Sequence, residues 1–145
     1  MKGETSLKVT KTLRVLFLVV AISVLLSVAA FASPMRASKY LSVYSARLTK
    51  TSNGDLSLYF HVTAPATMDH LGASRIAMQR YTGSYWRTEY NFTYPETPEL
   101  QDEDVAVYLT TITYTPQYPT SSYRAVITFY AANADGFDTG VYTAD

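Results

Sequence analysis

The chain of 145 residues contains no cysteine. Disulfide frameworks, thiol nucleophiles and Cys-ligated zinc are therefore excluded, and stability has to come from packing alone. Histidine is almost as scarce, with only His61 and His70 present. The six glycines are scattered and form neither G-x-G-x-x-G nor G-x-x-x-x-G-K, so a phosphate-cradling loop is missing and no cofactor is expected. Beyond residue 32 no stretch of ten or more residues keeps a helical period.

Long apolar runs are limited to one. Lys2, Lys8, Lys11 and Arg14 make a basic leader, and "VLFLVVAISVLLSVAAFA" follows from Val15 to Ala32 without a charge. Basic stretch, apolar run and a small-residue ending at Ala30-Phe31-Ala32 form the pattern of a secretory signal cleaved before Ser33. The alternative is an uncleaved anchor, because a run of about 18 residues sits at the lower edge of what spans a bilayer. The expected organisation is a signal peptide over 1–32, a flexible N-terminus over 33–38 and one domain over 39–145, secreted in the first case and membrane-tethered in the second.

Removing residues 1–32 takes away four of the twelve Lys/Arg and only Glu4 of the twelve Asp/Glu, leaving eight against eleven and a formal charge of minus three. With no basic stripe to track phosphates, nucleic acid is not an expected partner. The remaining 113 residues are enough for one core.

What is present is alternation. In "DLSLYFHVT", Leu56, Leu58, Phe60 and Val62 share one face and Ser57, Tyr59, His61 and Thr63 the other. "SYRAVITFYA" sets Tyr123, Ala125, Ile127, Phe129 and Ala131 against Arg124, Val126, Thr128 and Tyr130. Weaker runs are "KYLSVYSARL", "ASRIAMQR", "SYWRTEYNF", "VAVYLTTITY" and "TGVYT", making seven strands in all. Short glycine turns at Asn53-Gly54, Gly83 and Gly136 read as hairpins. The longer links "APATMDHLG", "YPETPELQDED" and "TPQYPTS" read as crossings between sheets. Strands one, two and five then form one sheet and strands three, four, six and seven the other. The expected fold is an all-β, antiparallel two-sheet sandwich of the immunoglobulin/fibronectin-III-like kind, its inward residues including Leu56, Leu58, Phe60, Ile76, Met78, Trp86, Val107, Leu109, Ile127 and Phe129.

The phrases "S-x-Y-L", "T-M-D-x-L-G-A-S-x-I", a Trp-bearing hairpin and "Y-x-A-V-x-T-F-Y-A" occur in that order in "ASKYLSVYSARLTKTSNGDLSLYFHVTAPATMDHLGASRIAM" and "YRAVITFYAANADGFDTGVYT". The chain resembles a family of small exported bacterial proteins of unknown function, with a signal peptide and one domain. The resemblance implies export and a sandwich; it implies no catalytic residue. In "Y-R-A-V-I" Ala125 stands where an immunoglobulin strand carries a cysteine, and that likeness implies a tyrosine corner at Tyr123.

Chemistry is thinly represented. His61 reads as a solvated strand residue, since no partner for a general base can be named. An Asp69–His70–Ser74 hydrolase lacks the G-x-S-x-G elbow, and adjacent residues seldom point at one another. Scattered acids leave a small hydrolase as an alternative. Glu99, Asp102, Glu103 and Asp104 could offer oxygens to calcium but have no glycine to turn around it. Asn133, Asp135 and Asp138 in "NADGFD" lack the distal glutamate of an EF-hand and read as a hairpin bend. "NFT" at Asn91 fits a glycosylation acceptor. The one excess is tyrosine, with thirteen residues, all beyond the leader. Tyrosine gives rigid contact area with a polar tip, and it is also a good strand former. Tyr59, Tyr85 and Tyr130 are the candidate binding residues. The expectation is a non-catalytic exported sandwich that works by surface contact with a protein, a glycan or a second copy of itself.

Overall fold

The structure, a computed structural model, describes residues 38–145. The expected signal peptide and most of the flexible N-terminus lie outside the described residues. Eight strands follow in order: β1 Val43–Lys50, β2 Leu56–Met68, β3 His70–Tyr81, β4 Trp86–Thr93, β5 Gln101–Asp102, β6 Val105–Tyr114, β7 Tyr123–Asn133 and β8 Gly136–Ala144. One 3-10 turn, Pro98–Leu100, precedes β5. A three-stranded sheet has the order β1-β2-β6, and a five-stranded sheet has the order β4-β3-β7-β8 with β5 added on β3. All pairings are antiparallel. The strands divide between the two sheets as the hairpin and crossing pattern predicts.

The buried row of β2 organises its sheet. Leu56, Leu58, Phe60 and Val62 are each no more than 4% exposed. Residues directly opposite in an antiparallel pair point to the same face. β1 therefore turns Tyr44, Ala46 and Leu48 inward, opposite Val62, Phe60 and Leu58. On β6 the inward set is Tyr108, Thr110, Ile112 and Tyr114, opposite Val62, Phe60, Leu58 and Leu56. This corrects the expectation for Val107 and Leu109, which lie opposite Thr63 and His61 on the outer face and are 53% and 56% exposed. From β7 the second sheet contributes Ala125, Ile127, Phe129 and Ala131, all fully buried. The Phe60 and Phe129 rings meet edge to face at 5.7 Å between the sheets.

Trp86 is a second correction. It lies opposite Tyr81 rather than in the core, with the rings 5.3 Å apart and the Arg124 guanidinium 4.4 Å from its ring. A bulge at Glu89 shifts the pairing, so that Met78 faces Tyr90 while Gln79 faces Thr88, and the parity of the strand changes along its length.

The Gly136 hairpin turns as expected: Asn133 pairs with Gly136, and the Asp135 amide donates to Asn133 Oδ1 at 2.9 Å. The crossing between strands two and three is not a loop. β2 runs on to Met68 and β3 begins at His70, with only Asp69 between them. Pro65 is tolerated because the β2–β6 register breaks between Thr63 and Met68, where no ladder donor is required of it. Met68 and Leu71, 2% and 0% exposed, bury both sides of the corner.

Within "YPETPELQDED" the chain makes the 3-10 turn and the unforeseen β5, and Leu71 and Gly72 pair with Asp102 and Gln101. Gly72 makes this pairing possible: a Cβ there would lie 2.1 Å from the Leu100 carbonyl oxygen and 2.7 Å from Gln101 Cα. Both atoms belong to backbone, which has no rotamer with which to give way. Gly72→Ala is expected to push β5 off β3 and to lower stability by at least about 2 kcal/mol, the scale of forced overpacking. Equilibrium denaturation measures this, and an unchanged midpoint would show that the close approach constrains nothing.

Candidate functional site

Gly72 also shapes the outer face of the five-stranded sheet. It lies opposite Tyr130 on β7 and Gln101 on β5, and by letting the Leu100–Gln101 backbone close on β3 it brings Gln101 to the side of a depression of about 280 Å3. His70, Ser74, Tyr94, Gln101 and Tyr130 line it. His70 and Tyr130 stand out from β3 and β7. Ser74, two residues on from Gly72, shares its face and lines the hollow, and the β3–β7 register shifts at this residue. Tyr94 is held over it by its amide, which donates to the Ser74 carbonyl at 3.1 Å. Gln101 is 9% exposed and spends one amide hydrogen on the Ala73 carbonyl at 3.3 Å.

The polar groups are only partly engaged. His70 Nδ1 is shielded from solvent and has no hydrogen-bond partner; the nearest charge is Glu103 Oε1 at 3.8 Å, beyond hydrogen-bond reach. The imidazole lies 6.2 Å from the Tyr94 ring. Tyr130 stacks on Phe137 with 5.9 Å between centroids, and Phe137 itself is 67% exposed. One side of the depression therefore continues into an exposed aromatic surface on β8.

The hydrolase arrangement does not assemble. His70 and Ser74 share the depression, but Ser74 Oγ donates to the Thr128 carbonyl at 3.3 Å rather than to His70. No hydrogen bond or ion pair joins Asp69 to His70 among the described residues. His61 lies elsewhere, on the outer face of the three-stranded sheet opposite Leu109. Asp102 is drawn into β5 and accepts the Glu103 amide at 2.9 Å, while Asp104 takes a left-handed conformation, φ 56°, at the turn into β6. The Asp138 carboxylate accepts from Ser38 Oγ and from the Thr139 amide, and the hydroxyl in particular holds its pKa below the usual carboxylate value.

The three candidate tyrosines are not brought together. Tyr59 is on the outer face of the three-stranded sheet, Tyr85 is in the β3–β4 turn at 61% exposure, and Tyr130 alone reaches the depression. Most of the tyrosine excess serves the core. Tyr40 and Tyr123 are buried in it, and Tyr44, Tyr94, Tyr108, Tyr114 and Tyr142 pack against it. Tyr44 covers Gly140, where a Cβ would meet its ring at 2.6 Å, and lies 5.0 Å from the Phe129 ring. The sequence named Tyr130 but not Tyr94 or Gln101. The β5 pairing brings Gln101 beside Gly72 and the bond to the Ser74 carbonyl brings Tyr94 to the hollow, and the Pro-bearing link gives no periodic signal to place either.

At the other end of β3, a second hollow of about 460 Å3 is lined by Leu48, Thr49, Lys50, Leu56, Trp86, Ser121, Ser122, Tyr123 and Asp145. Beneath it Arg80 Nε donates to Glu89 Oε1 at 2.5 Å and Tyr123 Oη donates to Glu89 Oε2 at 3.1 Å. Both carboxylate oxygens are thus engaged within the fold, which makes this network a structural anchor.

Burial, with the Glu89 bond second, pushes the Tyr123 phenol up to about 12 from 10. Between those pH values the unfolded chain releases a proton that the folded chain keeps, so stability falls as pH rises from 10 and the loss is complete above 12. The full effect is on the order of 2–3 kcal/mol. Tyr123→Phe is expected to be less stable than the parent at neutral pH and to lose less stability on the alkaline side, so that the two denaturation curves converge above pH 10. Parallel curves would show that Tyr123 does not carry this dependence. In comparisons with known proteins, no family model, no curated protein and no solved structure matches this chain.

Proposed function

We propose that this is an exported, non-catalytic β-sandwich of the fibronectin-III kind that binds a glycan, one sugar ring occupying the depression beside Gly72. The division of strands, β1-β2-β6 against β4-β3-β7-β8, supports the fold type. The basic, apolar and small-residue order of residues 1–32 supports export.

The observation that carries the binding reading is the lining itself. Two tyrosines and an imidazole line the depression beside the polar groups of Ser74 and Gln101, and His70 Nδ1 is without a partner there. A sugar ring needs that mixture, with a flat apolar surface for its C–H face and donors and acceptors at its rim. A neutral histidine and a hydroxyl each supply both donor and acceptor. Ligand pockets for larger molecules run from about 300 to 1,000 Å3, so a hollow of about 280 Å3 suits one ring rather than an extended chain. The non-catalytic reading is supported by the Ser74 hydroxyl, which is turned to the Thr128 carbonyl rather than toward a base.

Titration of the isotope-labelled protein with a panel of soluble mono- and oligosaccharides, followed by amide NMR, tests this. A binding sugar is expected to shift the amides of His70, Gly72, Gln101 and Tyr130 together. Tyr130→Ala is expected to weaken it by about tenfold, the loss of roughly 1.4 kcal/mol of ring contact. Shifts confined to the Trp86 end, or none with any sugar, would remove the proposal. Export has its own measurement: protein recovered from the culture medium is expected to begin at Ser33, whereas a chain found only in membranes and still beginning at Met1 would favour the tethered form.

A further inference from the structure

β6 is the outer strand of the three-stranded sheet. In an antiparallel ladder every second residue turns both its N–H and its C=O away from the partner strand. Among the described residues those groups of β6 have no backbone partner, since its only ladder is with β2 and no other backbone hydrogen bond involves Val105 to Tyr114. Natural sheets protect such edges with charges, prolines or bulges. The other three edges here carry them: Arg47 and Lys50 on β1, Arg87 and the Glu89 bulge on β4, and Asp138 on β8. β6 reads "VAVYLTTITY", ten residues with no charge, proline or glycine. Its exposed row contains Val107, Leu109, Thr111 and Thr113.

We propose that this edge pairs antiparallel with the same edge of a second copy, joining two three-stranded sheets into one of six strands. The disposition of charge selects both the partner and its direction. Asp102, Glu103 and Asp104 lie immediately before β6, and Pro116 lies just after it. Antiparallel self-pairing sends the two acidic runs to opposite ends of the pair, roughly 33 Å apart for ten residues of strand. Parallel pairing would set them side by side. Because β6 itself carries no charge, a two-fold axis through its middle opposes no like charges. It brings Val107 and Leu109 of each copy beside the threonines of the other, which is the self-complementary arrangement that a two-fold interface requires. The surface belongs to the other sheet from the depression beside Gly72, so either reading can fail without the other.

Sedimentation velocity of the secreted chain, recovered from the medium and beginning at Ser33, over a concentration series is expected to show a monomer–dimer equilibrium. Leu109→Lys places an ammonium at a solvent-exposed position in the middle of the pair. It is expected to keep the parent's thermal midpoint while raising the dimer dissociation constant at least about a hundredfold. Mixing Leu109→Lys with Leu109→Glu is expected to restore the dimer, and Thr111→Lys on the same row to repeat the loss. Val141→Lys, equally exposed on β8, should leave the dimer intact. A parent chain that stays monomeric throughout, a dimer indifferent to Leu109→Lys, or a dimer broken by Val141→Lys would each overturn the assignment.

Discussion

The architecture depends on one buried row. Leu56, Leu58, Phe60 and Val62 have no aqueous alternative, and the pleat allows them only one face of β2. Every residue opposite them must share that face. The row therefore sets the parity of β1 and β6, and by turning Tyr108 inward it leaves Val107 and Leu109 outside. Phe60 carries the constraint to the second sheet through Phe129, with the Tyr44 and Tyr108 rings closing around them. A protein without disulfides holds two sheets together in this way, by interdigitated rings whose substitution with smaller side chains would open cavities.

Tyrosine is the material of this closure. Around the edges of the sandwich the side chains must be large, yet they meet water at one end. A phenol satisfies both demands. Tyr108 packs on Phe60 while its hydroxyl donates to the Glu99 carbonyl at 2.7 Å, and Tyr123 packs against Tyr114 while its hydroxyl donates to Glu89. The compositional excess that first draws attention to surface binding is therefore largely structural. What distinguishes Tyr130 is its position on the outer face of the second sheet, where its ring borders the depression.

The alternating stretches around Phe60 and Phe129 were legible because both periodicity and β-branched or aromatic composition point the same way. The glycine turns were equally plain, and together they were enough to sort the strands into two sheets. β6 was ambiguous: Val107 and Leu109 make one face apolar at its start, while Ile112 and Tyr114 make the other apolar at its end. Register against β2 decides between them, and register is a long-range property. Trp86 misled for a related reason. A tryptophan is ordinarily a core residue, but the Glu89 bulge reverses the parity of its strand, and Arg124 offers its ring a stacking partner outside. His70 and Ser74 were visible as residues, whereas the hollow they share was not.

The amino-acid sequence by itself determined the strand class, the hairpins, the division into sheets and the absence of thiol chemistry, because each follows from local alternation, turn geometry or composition. Tertiary structure alone decided which face of β6 meets solvent, how β5 docks against Gly72 and which polar groups converge beside Tyr130. Those outcomes depend on backbone segments about thirty to sixty residues apart in the chain meeting at contact distance, and no local pattern encodes such a meeting.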